Sequence, residues 1–89
     1  MNYYKWFWNE TTGDSVTDSW GTSVYYIETG ADNYPIRQMI VYENGTVLKY
    51  DSENLDDEYG GLGDQPVDTE EFASLKIKVE EFENLWYKT

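Results

Sequence analysis

The chain contains no cysteine and no histidine among its 89 residues. Without cysteine it can form neither a disulfide framework nor a thiolate nucleophile. Without histidine it lacks the commonest general base, and the soft metal ligands are missing as well. A carboxylate pair of the kind glycosidases use needs a sizeable cleft, and a chain of this length is barely large enough for its own core. We therefore expect a protein that is not an enzyme and that uses no metal ion or cofactor.

Basic residues are scarce. Six Lys and Arg side chains stand against 18 Asp and Glu, a formal net charge of -12. A field of this sign repels nucleic acid and anionic membranes and attracts basic proteins. No run of 18 apolar residues and no charged-then-apolar leader occurs, so we expect neither a membrane span nor a signal peptide. The lack of cysteine also favours a cytoplasmic location.

Aromatic residues are abundant, at 18% of the chain with nine Tyr and four Trp, which argues against disorder. The length predicts a single domain over residues 1–89. Strand-forming residues predict strands at 3–8, 22–29, 36–43, 46–50 and 75–79, and the first has two apolar faces, which is typical of a central strand. An apolar stripe predicts a C-terminal helix over residues 80–88. The expected fold is therefore α+β: an antiparallel sheet of about five strands, a short helix in a connection, and a C-terminal helix packed on one face.

The strongest local signal is Asn44-Gly45, which lies between two strand-like runs. Asn-Gly favours a two-residue type I′ turn, because both central residues then need a positive φ. That turn would place Val41 opposite Leu48 and Met39 opposite Tyr50, so these four side chains are predicted to share the core face of the hairpin. Pro35 is expected at the first residue of its strand, because it has no amide hydrogen to donate.

Half of the acidic residues, nine of eighteen, lie between residues 51 and 71, and no Lys or Arg lies between Lys49 and Lys76. Residues 59–66 contain three glycines and a proline and predict a loop. Asp68, with Glu71 three residues later, predicts the start of a short helix. Residues 51–58 are rich in oxygen ligands but lack the glycine of a calcium-binding EF-hand loop, which favours a solvated run of charge over a calcium site.

Carboxylates beside aromatic rings suit a surface that meets a basic protein, because charge speeds association and buried rings hold the complex. Trp20 stands alone in a polar stretch, where it either packs on the core as a lid or serves as an exposed anchor. A merely solvated loop is the simpler interpretation of the acidic run. The residues that we predict to bind a partner are Asp51, Glu53, Asp56, Asp57, Glu58, Tyr59, Asp64 and Trp20.

Four stretches together resemble a family of small bacterial domains found beside toxins: residues 3–8, 36–45, 59–63 and 80–86. The resemblance implies an immunity protein of contact-dependent growth inhibition (polymorphic toxin) systems. Such a protein resides in the producer's cytoplasm and neutralises a toxin domain, frequently a nuclease such as an RNase. A basic nuclease cleft complements the charge of -12. Residues 9–30 depart from the family pattern.

Two other functions fit the same composition. A nucleic-acid mimic would inhibit another DNA- or RNA-binding protein, but it calls for carboxylates spaced regularly over a long face, whereas half of the acids here lie in one segment. A small-molecule or peptide-binding domain would instead use the aromatic strand faces, with a pocket lined by Trp6, Trp8 or Tyr42. Weak salt dependence of partner binding would favour the second alternative.

Overall fold

The computed structural model describes residues 2–8, 18–63 and 65–89, which form an antiparallel sheet with a helix packed on one face. The predicted α+β class is confirmed. The strands are β1 Asn2–Trp8, β2 Ser23–Thr29, β3 Pro35–Tyr42, β4 Val47–Tyr50, β5 Asp56–Asp57 and β6 Gly60–Gly61. The main sheet has the order β1-β2-β3-β4, and the two short strands β5 and β6 pair separately. A 3-10 helix spans Ala73–Leu75 and the helix α1 spans Val79–Lys88.

The hairpin lies where the sequence predicts it, but its register is shifted by one residue. Val41 pairs with Val47 and Ile40 with Leu48. The turn has three residues: the Gly45 amide donates to the Tyr42 carbonyl at 2.9 Å, and Gly45 alone of the three has a positive φ, of 92°. This is a type I turn closed by a left-handed glycine, a common three-residue hairpin connection. Because a one-residue shift turns every side chain over, the predicted shared face of Met39, Val41, Leu48 and Tyr50 is wrong.

The sheet is covered on both faces. The helix face carries Tyr26, Met39, Val41 and Val47, against which Phe82, Leu85 and Trp86 of α1 pack. The loop face carries Tyr25, Ile40, Tyr42, Leu48 and Tyr50, and Trp20 and Leu62 pack on it. Met39 and Tyr50, predicted to lie side by side, are therefore both fully buried but in different clusters.

Strand β1 is an edge strand, contrary to its predicted central position. Both faces are covered near its start, because Phe82 packs on Tyr3 and Phe72 packs on Tyr4 from the other side, whereas Phe7 is exposed. The predicted strand at 75–79 is also wrong. That segment makes one bridge, between Lys76 and Tyr4, and the chain then enters α1.

Pro35 and the C-terminal helix lie where the sequence predicts them. Pro35 is the first residue of β3, and the C-terminal helix is present with Phe82 fully buried. Asp68 Oδ1 accepts hydrogen bonds from the amides of Glu70 at 3.0 Å and Glu71 at 3.2 Å, as a helix cap would. The predicted short helix is only a turn followed by the 3-10 helix. Within the described ranges, no helix is long and apolar enough to cross a membrane.

Candidate functional site

Residues 51–59, the acidic segment, follow β4 directly and are held in place by their own side chains. Asp51 Oδ1 accepts hydrogen bonds from the amides of Glu53 and Asn54, both at 2.9 Å. The Asn54 side-chain amide donates back to the Lys49 carbonyl at 2.8 Å. Asx turns of this kind bend the backbone without regular secondary structure. Asp51 is therefore half-buried and structural, while Glu53 projects from the surface.

A buried tyrosine fixes the far half of the acidic segment. The Tyr50 hydroxyl donates to Asp57 Oδ1 at 2.9 Å, and the same oxygen accepts the Tyr59 amide at 2.8 Å. Burial raises the pKa of Tyr50 well above its usual range, and the hydrogen bond to Asp57 raises it further. The phenol therefore stays neutral and keeps its donor toward the carboxylate.

The glycines after the acidic segment permit a close backbone approach. A Cβ on Gly61 would lie 2.9 Å from the Leu55 carbonyl oxygen, a distance that real contacts avoid. With that space clear, β5 pairs with β6, and the Leu62 amide donates to Leu55 O at 2.8 Å. Leu62 in turn packs on the loop face, so the ladder anchors the acidic segment to the core.

The structure brings most of the predicted partner-binding residues onto one surface. Glu53, Asp56, Asp57 and Glu58 are exposed, and none of them forms a salt bridge with a described Lys or Arg. Tyr59 is 38% exposed, and its ring centroid lies 5.0 Å from that of Trp20, which thereby borders the acidic segment.

Trp20 also contacts the Tyr42 ring, edge to face, with 5.0 Å between centroids. Trp20 is half-buried and packs on the loop face, which agrees with the predicted lid and not with an exposed anchor.

Asp64, the remaining predicted site residue, lies outside the described residues. In the part of the chain that the structure describes, no group of three or more acidic side chains is arranged to hold a metal ion.

The helix face contains an ion cluster that the sequence analysis missed. Arg37 Nε donates to Glu28 Oε1 at 2.6 Å, Nη2 donates to Glu28 Oε2 at 2.8 Å, and Nη2 also donates to Glu83. The Arg37 guanidinium lies over the Phe82 and Trp86 rings, 5.0 and 5.2 Å from their centroids. Hydrogen bonding to Arg37 lowers the pKa of Glu28. The three charges therefore tie β2, β3 and α1 together.

A cleft of about 420 Å³ lies between the loop face on one side and Gly63 and residues 65–72 on the other, and we call it the loop-face cleft. Trp6 lines it, as the ligand-binding alternative suggested, whereas Trp8 and Tyr42 do not. No local pattern predicts that the segment after Gly63 returns across Tyr25. The cleft is lined by Trp6, Tyr25, Ile27, Pro35, Gln38, Gly63, Gln65, Pro66, Val67, Asp68, Glu71 and Phe72.

Gln38 joins the sheet to the glycine-containing loop that follows the acidic segment. Its side chain is buried on the loop face, donates to the Gly61 carbonyl at 3.4 Å and accepts the Gly63 amide at 3.2 Å. The polar side chain inside the sheet is thus satisfied by the returning loop rather than by solvent. Gln38 and Gly63, which both line the loop-face cleft, are thereby fixed relative to each other.

Comparison with known proteins adds no relative: no family model, no curated protein and no solved structure matches the chain. Function must therefore be inferred from the surface itself.

Proposed function

We propose that the protein is an immunity protein that binds a basic toxin domain, a nuclease such as an RNase, and blocks its cleft. The observation that carries the proposal is a fixed set of exposed carboxylates that form no salt bridge with any Lys or Arg that the structure describes. Glu53, Asp56 and Glu58 are exposed on a segment whose backbone is held by Asp51, Tyr50 and Asp57. The binding surface would include the acidic segment, Trp20 and Asp64.

The mechanism is steric and electrostatic occlusion. A nuclease cleft is basic because it binds a polyanion, so carboxylates can occupy the positions that phosphates take in the substrate. Because hydrogen bonds fix the acidic segment before it meets a partner, less conformational entropy is lost on binding than for a mobile acidic loop. The charge of -12 accelerates the encounter.

The proposal is tested by calorimetry and stopped-flow binding against a catalytically inactive form of the toxin domain encoded immediately upstream, at low and moderate salt. We expect tight binding whose association slows as salt screens the charges. The double variant Glu53→Gln/Glu58→Gln should weaken binding by roughly 2- to 30-fold, the loss of two exposed ion pairs.

The matched control is Glu80→Gln/Glu81→Gln, which removes the same two charges from exposed positions in the first turn of α1. The control should bind the toxin nearly as the native protein does, since α1 lies on the opposite face of the sheet. Equal weakening by both pairs would show that net charge alone acts and that the acidic segment is not the interface. Absence of binding at either salt concentration would refute the immunity function and favour the ligand-binding alternative.

A further inference from the structure

We propose that the loop-face cleft receives an arginine side chain of the partner, with its guanidinium against the aromatic rings and Glu71 as its counter-ion. This inference rests on the proposed function, because it takes the partner to be a basic protein. It adds a specific site to a surface so far described only by its charge.

Aromatic rings from three parts of the chain converge at the cleft. Trp6 of β1 is central, with its ring centroid 5.7 Å from that of Tyr25 in β2 and 5.6 Å from that of Phe72. All three residues are half-buried, and all three line the cleft. A cleft of about 420 Å³ is within the usual range for a small-ligand site and accommodates one long side chain.

Two carboxylates lie among the lining residues, and no described cation does. Asp68 is oriented by the amides of Glu70 and Glu71, and the Glu71 side chain is exposed. None of the six Lys and Arg residues lines the cleft. Rings and carboxylates without a cation form a site that is complementary to a positive charge.

The helix face shows how this chain uses the same groups when it supplies the cation itself. There the Arg37 guanidinium lies over Phe82 and Trp86 and pairs with Glu28 and Glu83. The loop-face cleft has equivalent rings and carboxylates on the other side of the sheet, without the arginine. The arginine of a partner would complete it.

Arginine suits the cleft better than lysine for a physical reason. Its guanidinium is planar, stacks on aromatic faces and is more weakly hydrated than an ammonium group, so it loses less when it leaves water. It also binds a carboxylate through two parallel hydrogen bonds. A lysine would present a compact, strongly hydrated charge to a mostly apolar lining.

The test uses N-acetyl-arginine amide as the probe and N-acetyl-citrulline amide, its neutral isostere, as the control, at matched ionic strength. Two-dimensional NMR follows the tryptophan indole N–H resonances. We expect the arginine probe to shift Trp6 and leave Trp86, on the helix face, unmoved, and citrulline to bind more weakly. Glu71→Gln should weaken arginine binding about 1.4- to 5-fold, as for one exposed ion pair, whereas Glu81→Gln should not.

Several results would overturn the inference. Equal shifts with arginine and citrulline would identify a site for neutral ligands, and tighter binding of N-acetyl-lysine amide would refute the choice of arginine. Equal effects of Glu71→Gln and Glu81→Gln would show that the probe responds to the net charge of the protein and not to Glu71 in the cleft. If the toxin binds but the arginine probe does not, the cleft inference fails while the immunity function stands. If the probe binds but the toxin does not, the immunity function fails instead.

Discussion

Gly21 and Gly45 have the same backbone conformation but different surroundings, and this pair tests how the Trp20 loop is held. Both have a φ of 92°. A Cβ on Gly45 would meet nothing within 4 Å, whereas a Cβ on Gly21 would lie 2.7 Å from Glu43 Cβ and 2.8 Å from its Oε1. Alanine at either position must adopt a strained left-handed conformation, but only alanine at position 21 also collides with a neighbour.

The magnitudes can be separated. Alanine in the left-handed conformation costs roughly 1–2 kcal/mol of folding free energy. Alanine also lowers the conformational entropy of the unfolded chain, which offsets roughly 0.4–1 kcal/mol of this cost. Gly45→Ala should therefore lower the free energy of unfolding by about 1 kcal/mol. Gly21→Ala should cost about 1–3 kcal/mol more, because overpacking displaces Glu43. Glu43 Oε1 accepts hydrogen bonds from the Thr22 amide and hydroxyl at 3.2 and 3.1 Å, so its displacement also weakens the contact between loop and turn.

Urea denaturation followed by tryptophan fluorescence measures both variants, with unchanged m values required for the comparison. The Glu43→Gly substitution removes the obstructing atoms. In that background the total destabilisation by Gly21→Ala should fall to the value found for Gly45→Ala. Equal destabilisation by Gly21→Ala and Gly45→Ala would refute the reasoning. It would mean that residues 20–22 do not lie against the hairpin turn and that Trp20 is not held as a lid.

Two further predictions concern the helix face. Phe82→Ala should lower the free energy of unfolding by about 3–5 kcal/mol in urea titrations, because Phe82 is fully buried between α1 and the sheet, and a loss below 1 kcal/mol would contradict that packing. Glu28→Gln should cost about 1–3 kcal/mol near neutral pH. Arg37 lowers the pKa of Glu28 in the folded protein. The stabilisation by the Glu28 carboxylate is therefore complete above the ordinary glutamate pKa of about 4.3 and is lost as pH falls through the lowered pKa. The difference from native protein should shrink in that range, and a pH-independent difference would contradict the assignment.

The hairpin shows how far local sequence signals reach. Asn44-Gly45 correctly marks a turn, but the same dipeptide fits a two-residue turn and a three-residue turn ending in Gly45. Tertiary packing decides between them, because the observed register places Leu48 and Tyr50 under Trp20 and Leu62. It also places Lys49 on the helix face, where its Nζ donates to the Trp86 carbonyl at 2.6 Å.

The acidic segment was predictable because it is contiguous in sequence, and most of its carboxylates are exposed as expected. The loop-face cleft was not predictable from the sequence. Pairing of β1 with β2 brings Trp6 and Tyr25 together, and Phe72 reaches Trp6 only because residues 65–72 lie against the sheet. In the sequence, Asp68 and Glu71 stand out only as members of the acidic run and as a helix-capping pattern. A capping carboxylate can be predicted from neighbouring residues in the chain. A carboxylate that lines a cleft cannot, because the residues that surround it are distant in sequence.

The distribution of cations connects the stability of the fold with its proposed binding function. Arg37 and Lys49 both lie over Trp86 on the helix face, so the chain uses these cations to hold α1 on the sheet. The segment between Lys49 and Lys76 has nine carboxylates and no compensating charge. Its self-repulsion disfavours the compact state of the free protein, and a basic partner would remove that cost on binding. Salt therefore acts in opposite directions: screening relieves the repulsion within the free protein and weakens the attraction to the partner.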